Sequence, residues 1–216
     1  MAGAKHGLTP TPEQLLAGYG MGVFPMATAA HDPELRWYDP PRRGVLPVGG
    51  VHASHSLLRH LRRGNWAATL NGDFAGTLAG CADRDETWIN APLTSLYKAL
   101  HRRGHCHSLE VWQDGSLAGG LFGVTLGGAF FGESMFSART NASKLALLWL
   151  SSQLRRCGFT LLDTQFLTPH LASLGGQEIS RTEYYRKLHA ARALNVRLKG
   201  PLPDAQALWQ EITQTS

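Results

Sequence analysis

Apolar positions along the chain repeat with a period that changes several times. Leu57, Leu58 and Leu61 recur at helical spacing behind Ser54, which predicts a Ser54-capped helix over His55–Arg63. Leu93, Leu96, Tyr97 and Leu100 repeat in the same way, and Gly104 stops that helix. Nearer the start, Thr11-Pro12-Glu13-Gln14 opens a helix over Glu13–Tyr19. Thr11 is its N-cap, Pro12 its first residue, and Gln14 closes a capping box. Asp73 caps a helical stretch to Cys81. Strands are predicted over Trp66–Leu70, Ser108–Gln113 and Leu117–Leu126, the last two joined by the hairpin signal Asp114-Gly115. A second turn, Gly127-Gly128, leads to the short strand Ala129-Phe130-Phe131. Ala142–Cys157 is apolar nearly all round, so it is a buried helix. The strand Phe159–Phe166 follows, then a short helix from Pro169 to Leu174. A helix opened by the box Ser180–Glu183 runs to about Leu194, and a last one covers Asp204–Ile212. Val23–Met26 is an apolar turn, residues 27–44 are loop with Trp37 and Tyr38 inside it, and Gly44–Val48 is a short strand.

An antiparallel meander joined to a β-α-β step makes an α+β fold, a mixed sheet with helices on its faces. Gly49-Gly50 is the best hinge, so the expected division is a small N-terminal α/β domain, residues 1–50, and a larger domain, residues 51–216.

At 216 residues and 43% hydrophobic, the chain can bury a sizeable core. No apolar run approaches the ~18 residues of a membrane-spanning helix. The start, residues 1–14, has no apolar segment of a secretory signal. Three cysteines, an odd number without a C-x-x-C pair, are expected to be free thiols in a reducing cytoplasm. The net charge of +5 is carried mainly by arginine, with doublets at 42–43, 62–63, 102–103 and 155–156. That balance suits a polyanionic partner, and equally a mildly basic protein without one.

Polar residues in the least polar part of the chain mark the candidate chemistry. Glu133, Asp163 and Gln165 stand on apolar strands around the buried helix, and Asp163 and Gln165 share a face at i and i+2. Such a cluster can bind a cation and orient an amine, or it is a buried structural network. His101, His105 and His107 with Cys106 lack a second matched set, so no metal is expected. Ser134 and Ser137 lack the G-x-S-x-G elbow of a hydrolase. The step Phe131–Ser143 resembles the layout in which acetyltransferases hold a cofactor pyrophosphate, but its glycine-rich turn is missing.

Several blocks resemble, in order, the leucyl/phenylalanyl-tRNA–protein transferases. They are Gly20–Met26, Trp37 with Pro41-Arg42, Thr87-Trp88-Ile89, Gly104–Trp112, Gly132–Ser137, Asn141–Lys144, Leu162–Gln165, His170 and Ala172–Gly175. The resemblance implies an enzyme that moves leucine or phenylalanine, with methionine as a further donor, from tRNA to the N-terminal Arg or Lys of a protein, marking it for degradation. It implies a small N-terminal domain and a GNAT-like second domain without coenzyme A; no cofactor is expected, and the protein is expected to be a cytoplasmic monomer. The catalytic residues fall on Asp163 and Gln165, with Glu133 as an acidic neighbour that pairs with the basic substrate. The amino-acid pocket falls on Leu121, Phe130, Met135, Leu147, Leu150, Leu154 and Leu162. Trp37, Trp88 and Tyr97 match positions near the tRNA 3′ adenosine and the peptide. An acetyl-coenzyme A N-acyltransferase and a non-catalytic RNA-binding protein are the alternatives. An ester that is already activated needs no ATP; it needs an amine held against its carbonyl and one proton managed.

Overall fold

The computed structural model describes residues 10–29, 31–84 and 87–214. The first nine residues, part of the start read above as lacking a signal segment, lie outside this set.

The elements in order are α1 (Pro12–Gly20), β1 (Phe24–Met26), β2 (Arg36–Tyr38), β3 (Arg42–Leu46), α2 (His55–Arg63), β4 (Trp66–Leu70), α3 (Phe74–Ala82), α4 (Ala91–Arg102), β5 (Cys106–Gln113), β6 (Ser116–Leu126), β7 (Ala129–Ser137), α5 (Ala142–Arg156), β8 (Leu161–Gln165), α6 (Pro169–Ser173), β9 (Gln177–Ser180), α7 (Arg181–Arg192) and α8 (Ala205–Gln214). The predicted caps form: Thr11 and Gln14 close a full capping box, and Ser54 and Asp73 each accept the N–H three residues on.

Seven strands make one sheet in the order β4-β5-β6-β7-β8-β3-β9. Every pair is antiparallel except β7–β8, which α5 connects as a crossover. Helices cover both faces, which is the predicted α+β, GNAT-like arrangement. Because side chains alternate across a strand, Phe130 and Leu121 face α2, α5 and α8, whereas Phe131 and Phe122 face α1, α3, α4 and α7.

Three stretches depart from the sequence reading. The apolar turn and part of the loop form the two-stranded pair β1–β2. The predicted short strand Gly44–Val48 is present as β3, Arg42–Leu46, which starts two residues earlier, inside the predicted loop; it is set between β8 and β9, so the segment before Gly49-Gly50 contributes to the large sheet. β9, a polar edge strand, was not anticipated. Strands of three to five residues are too short to show alternation, and their partners lie far away in sequence.

β7 also runs on past Phe131 to Ser137, and it does so through a bulge. Phe122 pairs with Ser134 and Gly123 with Gly132, which leaves Glu133 as the extra residue. Glu133 therefore sits within a strand that continues well past the predicted Ala129–Phe131.

Candidate active site

β7 and β8 pair only over Ala129–Phe131 and Leu161–Asp163, then separate. The three polar candidates sit at that fork. Asp163, fully buried on β8, is gripped by the guanidinium of Arg43: Nε donates to Oδ1 at 2.9 Å and Nη2 to Oδ2 at 2.7 Å. Arg43 is 1% exposed, lies 4.5 and 4.4 Å from the ring centres of Phe24 and Tyr184, and donates from Nη1 to the Gly22 carbonyl. The Tyr184 hydroxyl donates to Asp163 Oδ2 at 2.7 Å. A buried carboxylate is tolerable because a cation and further donors surround it.

The remaining bond of Asp163 turns this ion pair into a brace. Its Oδ1 accepts the backbone N–H of Gln165 at 2.7 Å, and Gln165 has φ of 62°. A non-glycine residue in the left-handed region costs free energy and is held there by its surroundings. Gly44, opposite Gln165 on β3, makes room: a Cβ on it would lie 2.8 Å from the backbone of Phe166 and Leu167.

Glu133 is 7% exposed and both its oxygens are engaged. Tyr19 donates to Oε1 and Tyr97 to Oε2, each at 2.7 Å. Gln165 Nε2 donates to Oε1 at 3.1 Å. With its nitrogen committed to a carboxylate, Gln165 has its oxygen left to accept. Burial raises the Glu133 carboxyl to about 7, against the lowering effect of the two tyrosine hydroxyls. Burial likewise pushes both tyrosine hydroxyls far up, so they stay protonated donors.

Two cavities meet at Glu133. An apolar one of about 100 Å³ is walled by Leu121, Phe130, Met135, Leu147, Leu150 and Leu162, six of the seven predicted pocket residues. Phe122, Gly132, Ser134, Thr164 and Leu171 complete it. Leu154 is not on its wall; it is fully buried in the core of α5. A wider cleft of about 770 Å³ opens beside it, lined by Trp88, Arg84, Glu133, Met135, Gln165 and His170 among others. Trp88 is thus brought to the cleft beside Glu133. Tyr97 does not offer a stacking face, because it is wholly buried behind Glu133. Trp37 is 40% exposed, packs over Gly18 and does not line the cleft.

The sequence reading missed Arg43, Tyr19 and Tyr184. In the sequence Arg43 is half of the basic doublet Arg42-Arg43. The signal available was that two buried acids in one cluster demand a buried cation, though nothing local says which. The histidines read against metal have local partners: His101 stacks on Phe74 and His107 bonds Asn71 and the Gly104 carbonyl.

Family comparison agrees with the residues. The model for "Leucyl/phenylalanyl-tRNA protein transferase" matches residues 45–189, and that for its N-terminal domain matches residues 9–41. Proteins called leucyl/phenylalanyl-tRNA–protein transferase are similar over nearly the whole chain. The one from Paracoccus denitrificans (strain Pd 1222) is 60% identical, covering 95% of this chain and 98% of its own length. Those from Ruegeria pomeroyi and Cereibacter sphaeroides (strain ATCC 17025) are 57% and 55% identical, each covering 95% of this chain and 98% and 97% of their own lengths.

Proposed function

This chain belongs to the leucyl/phenylalanyl-tRNA–protein transferase family, and from that premise we propose how its side chains divide the work. The enzyme moves leucine or phenylalanine from aminoacyl-tRNA to the N-terminal residue of a protein, creating a degradation signal. The acceptors carry N-terminal Arg or Lys. No helix among the described residues is long and apolar enough to cross a membrane. We take the enzyme to act in the cytoplasm, as a monomer.

The donor's side chain enters the apolar cavity and its ester lies at the mouth, beside Glu133. The acceptor's α-amine approaches from the wider cleft. Its nitrogen attacks the ester carbonyl, a C–N bond forms, the C–O bond to the 3′ oxygen breaks, and one proton passes from nitrogen to that oxygen. Gln165 orients the amine by accepting its hydrogen bond. Asp163 holds Gln165 in place through the backbone. Glu133 fixes the Gln165 amide and attracts the cationic acceptor. The observation that carries this division is the bond from Gln165 Nε2 to Glu133, which turns the amide oxygen into the free acceptor.

The test is transfer from labelled Leu-tRNA to peptides beginning with Arg, Lys or Ala, with neither ATP nor coenzyme A. Label on the Arg and Lys peptides alone supports this reading. Binding of tRNA without transfer, or a requirement for coenzyme A, contradicts it.

A further inference from the structure

Where β8 leaves β7, it exposes an edge of β7 that carries backbone hydrogen-bonding groups. The pattern on the other side of β7 says which ones. Ala138 N–H donates to the Ala118 carbonyl at 2.8 Å, and Gly119 faces Ser137. That makes Gly119–Ser137, and two residues on Leu121–Met135, the pairs that exchange no bonds in an antiparallel ladder. The N–H and C=O of Met135 and Ser137 therefore point away from β6, toward the cleft. Among the described residues, these four groups receive one bond, from the Arg84 guanidinium to the Met135 carbonyl. Met135 is half-buried and Ser137 exposed, so the edge is open. Residues 133–138 of this strand form one wall of the cleft, and Thr164, Gln165, Phe166, Thr168 and His170 the other.

We propose that the acceptor protein binds through its backbone, as an extended segment added to this edge of β7, parallel to it and in the place that β8 vacates. This rests on the transferase reading above. The direction follows from the chemistry. The acceptor's amine must sit at Glu133 and Gln165, so its chain leaves along Ser134–Ser137, the way β7 itself runs. At ~3.3 Å per residue, acceptor residues two to five cover that edge. Backbone pairing ignores side-chain identity. Recognition then falls on the first residue, at the carboxylate end, while the residues behind it are held whatever they are. The acceptor needs an unstructured N-terminus long enough to lie as a strand.

Peptides beginning with Arg and bearing one N-methyl group, scanned over the amides of residues two to five, test this with wild-type enzyme. An N-methyl group deletes one donor and leaves side chains unchanged. In a strand, alternate amides face the neighbour. KM for the peptide is expected to rise roughly tenfold at alternate positions and little between them, with KM for Leu-tRNA unchanged. Shortening the peptide below four residues is expected to raise KM as well. Equal tolerance at all four positions would overturn the proposal. So would a rise confined to KM for Leu-tRNA, which would place the donor on that edge. In either case, normal transfer to the unmethylated Arg peptide would leave the transferase reading standing.

Discussion

At the scale of single residues, the site is two buried carboxylates given opposite environments. Asp163 meets a guanidinium, a phenol and a backbone N–H. Removing its cation leaves a buried charge unpaired, so Arg43→Met is expected to cost ~3–5 kcal/mol of stability, read by urea unfolding. A change under 1 kcal/mol would mean that Asp163 does not need this partner. Glu133 meets only neutral donors at close range, and burial carries it from 4.5 to about 7. Its folded value is raised, so the stability it contributes is present below pH 4.5 and is lost as pH rises through about 7. On the division of work proposed above, ionisation over the same window supplies the charge that attracts the acceptor. kcat/KM for an Arg peptide is therefore expected to rise through pH 7, beside a second limb near ~8 from the acceptor's own α-amine. In Glu133→Gln the limb near 7 should vanish and the one near 8 remain. An unaltered profile would remove Glu133 from acceptor binding. The sequence made both acids and Gln165 visible, because polar residues on apolar strands stand out. Arg43 stayed hidden because its meaning is set by a contact 120 residues away.

Elements add what residues alone cannot: the fork between β7 and β8 and the wall that α5 presents to it. Strong local patterns were legible, including the Thr11–Gln14 capping box, the Asp114-Gly115 hairpin and the apolar helix α5; of the second box only the Ser180 cap on the Glu183 N–H forms. The bulge at Glu133 was not, since it depends on the register against β6. β9 was not, and β3 was legible only as a short strand without its place between β8 and β9, since strands so short find partners far away in sequence. The cavity wall was legible through the family resemblance, with Leu154 the exception because α5 turns it into the core. That exception sharpens a test of the pocket. Leu150 lines the cavity, so Leu150→Phe is expected to reduce Phe transfer more than Leu transfer, by ~1–3 kcal/mol in kcat/KM. Equal loss for both donors would mean a damaged core in place of a reshaped pocket.

For the whole molecule, the question is where the net charge of +5 acts. Several arginines are already engaged. Arg43 is internal, Arg42 lies 3.7 Å from Glu178, Arg103 pairs with Glu13 and Arg155 with Glu211. Arg63, Arg102 and Arg156 are exposed and make no ion pair among the described residues. Phosphate contacts by such groups release counterions, so Kd for Leu-tRNA should rise steeply with salt, at ~0.7–0.9 in log–log slope per contact. A flat response between 50 and 200 mM salt would argue against a phosphate-led interface.

The central claim is that Gln165 orients the amine while Asp163 only holds it there. Single-turnover transfer of leucine to an Arg peptide, measured beside Leu-tRNA binding, tests this in Gln165→Ala and Asp163→Ala. Both rates should fall by ~10²-fold or more, with Leu-tRNA affinity changed less than about threefold. Gln165→Gly relieves the left-handed backbone but lacks the amide, so it should be as slow as Gln165→Ala. A near-normal rate in either Gln165 variant, or a loss explained by weakened tRNA binding, would contradict the claim.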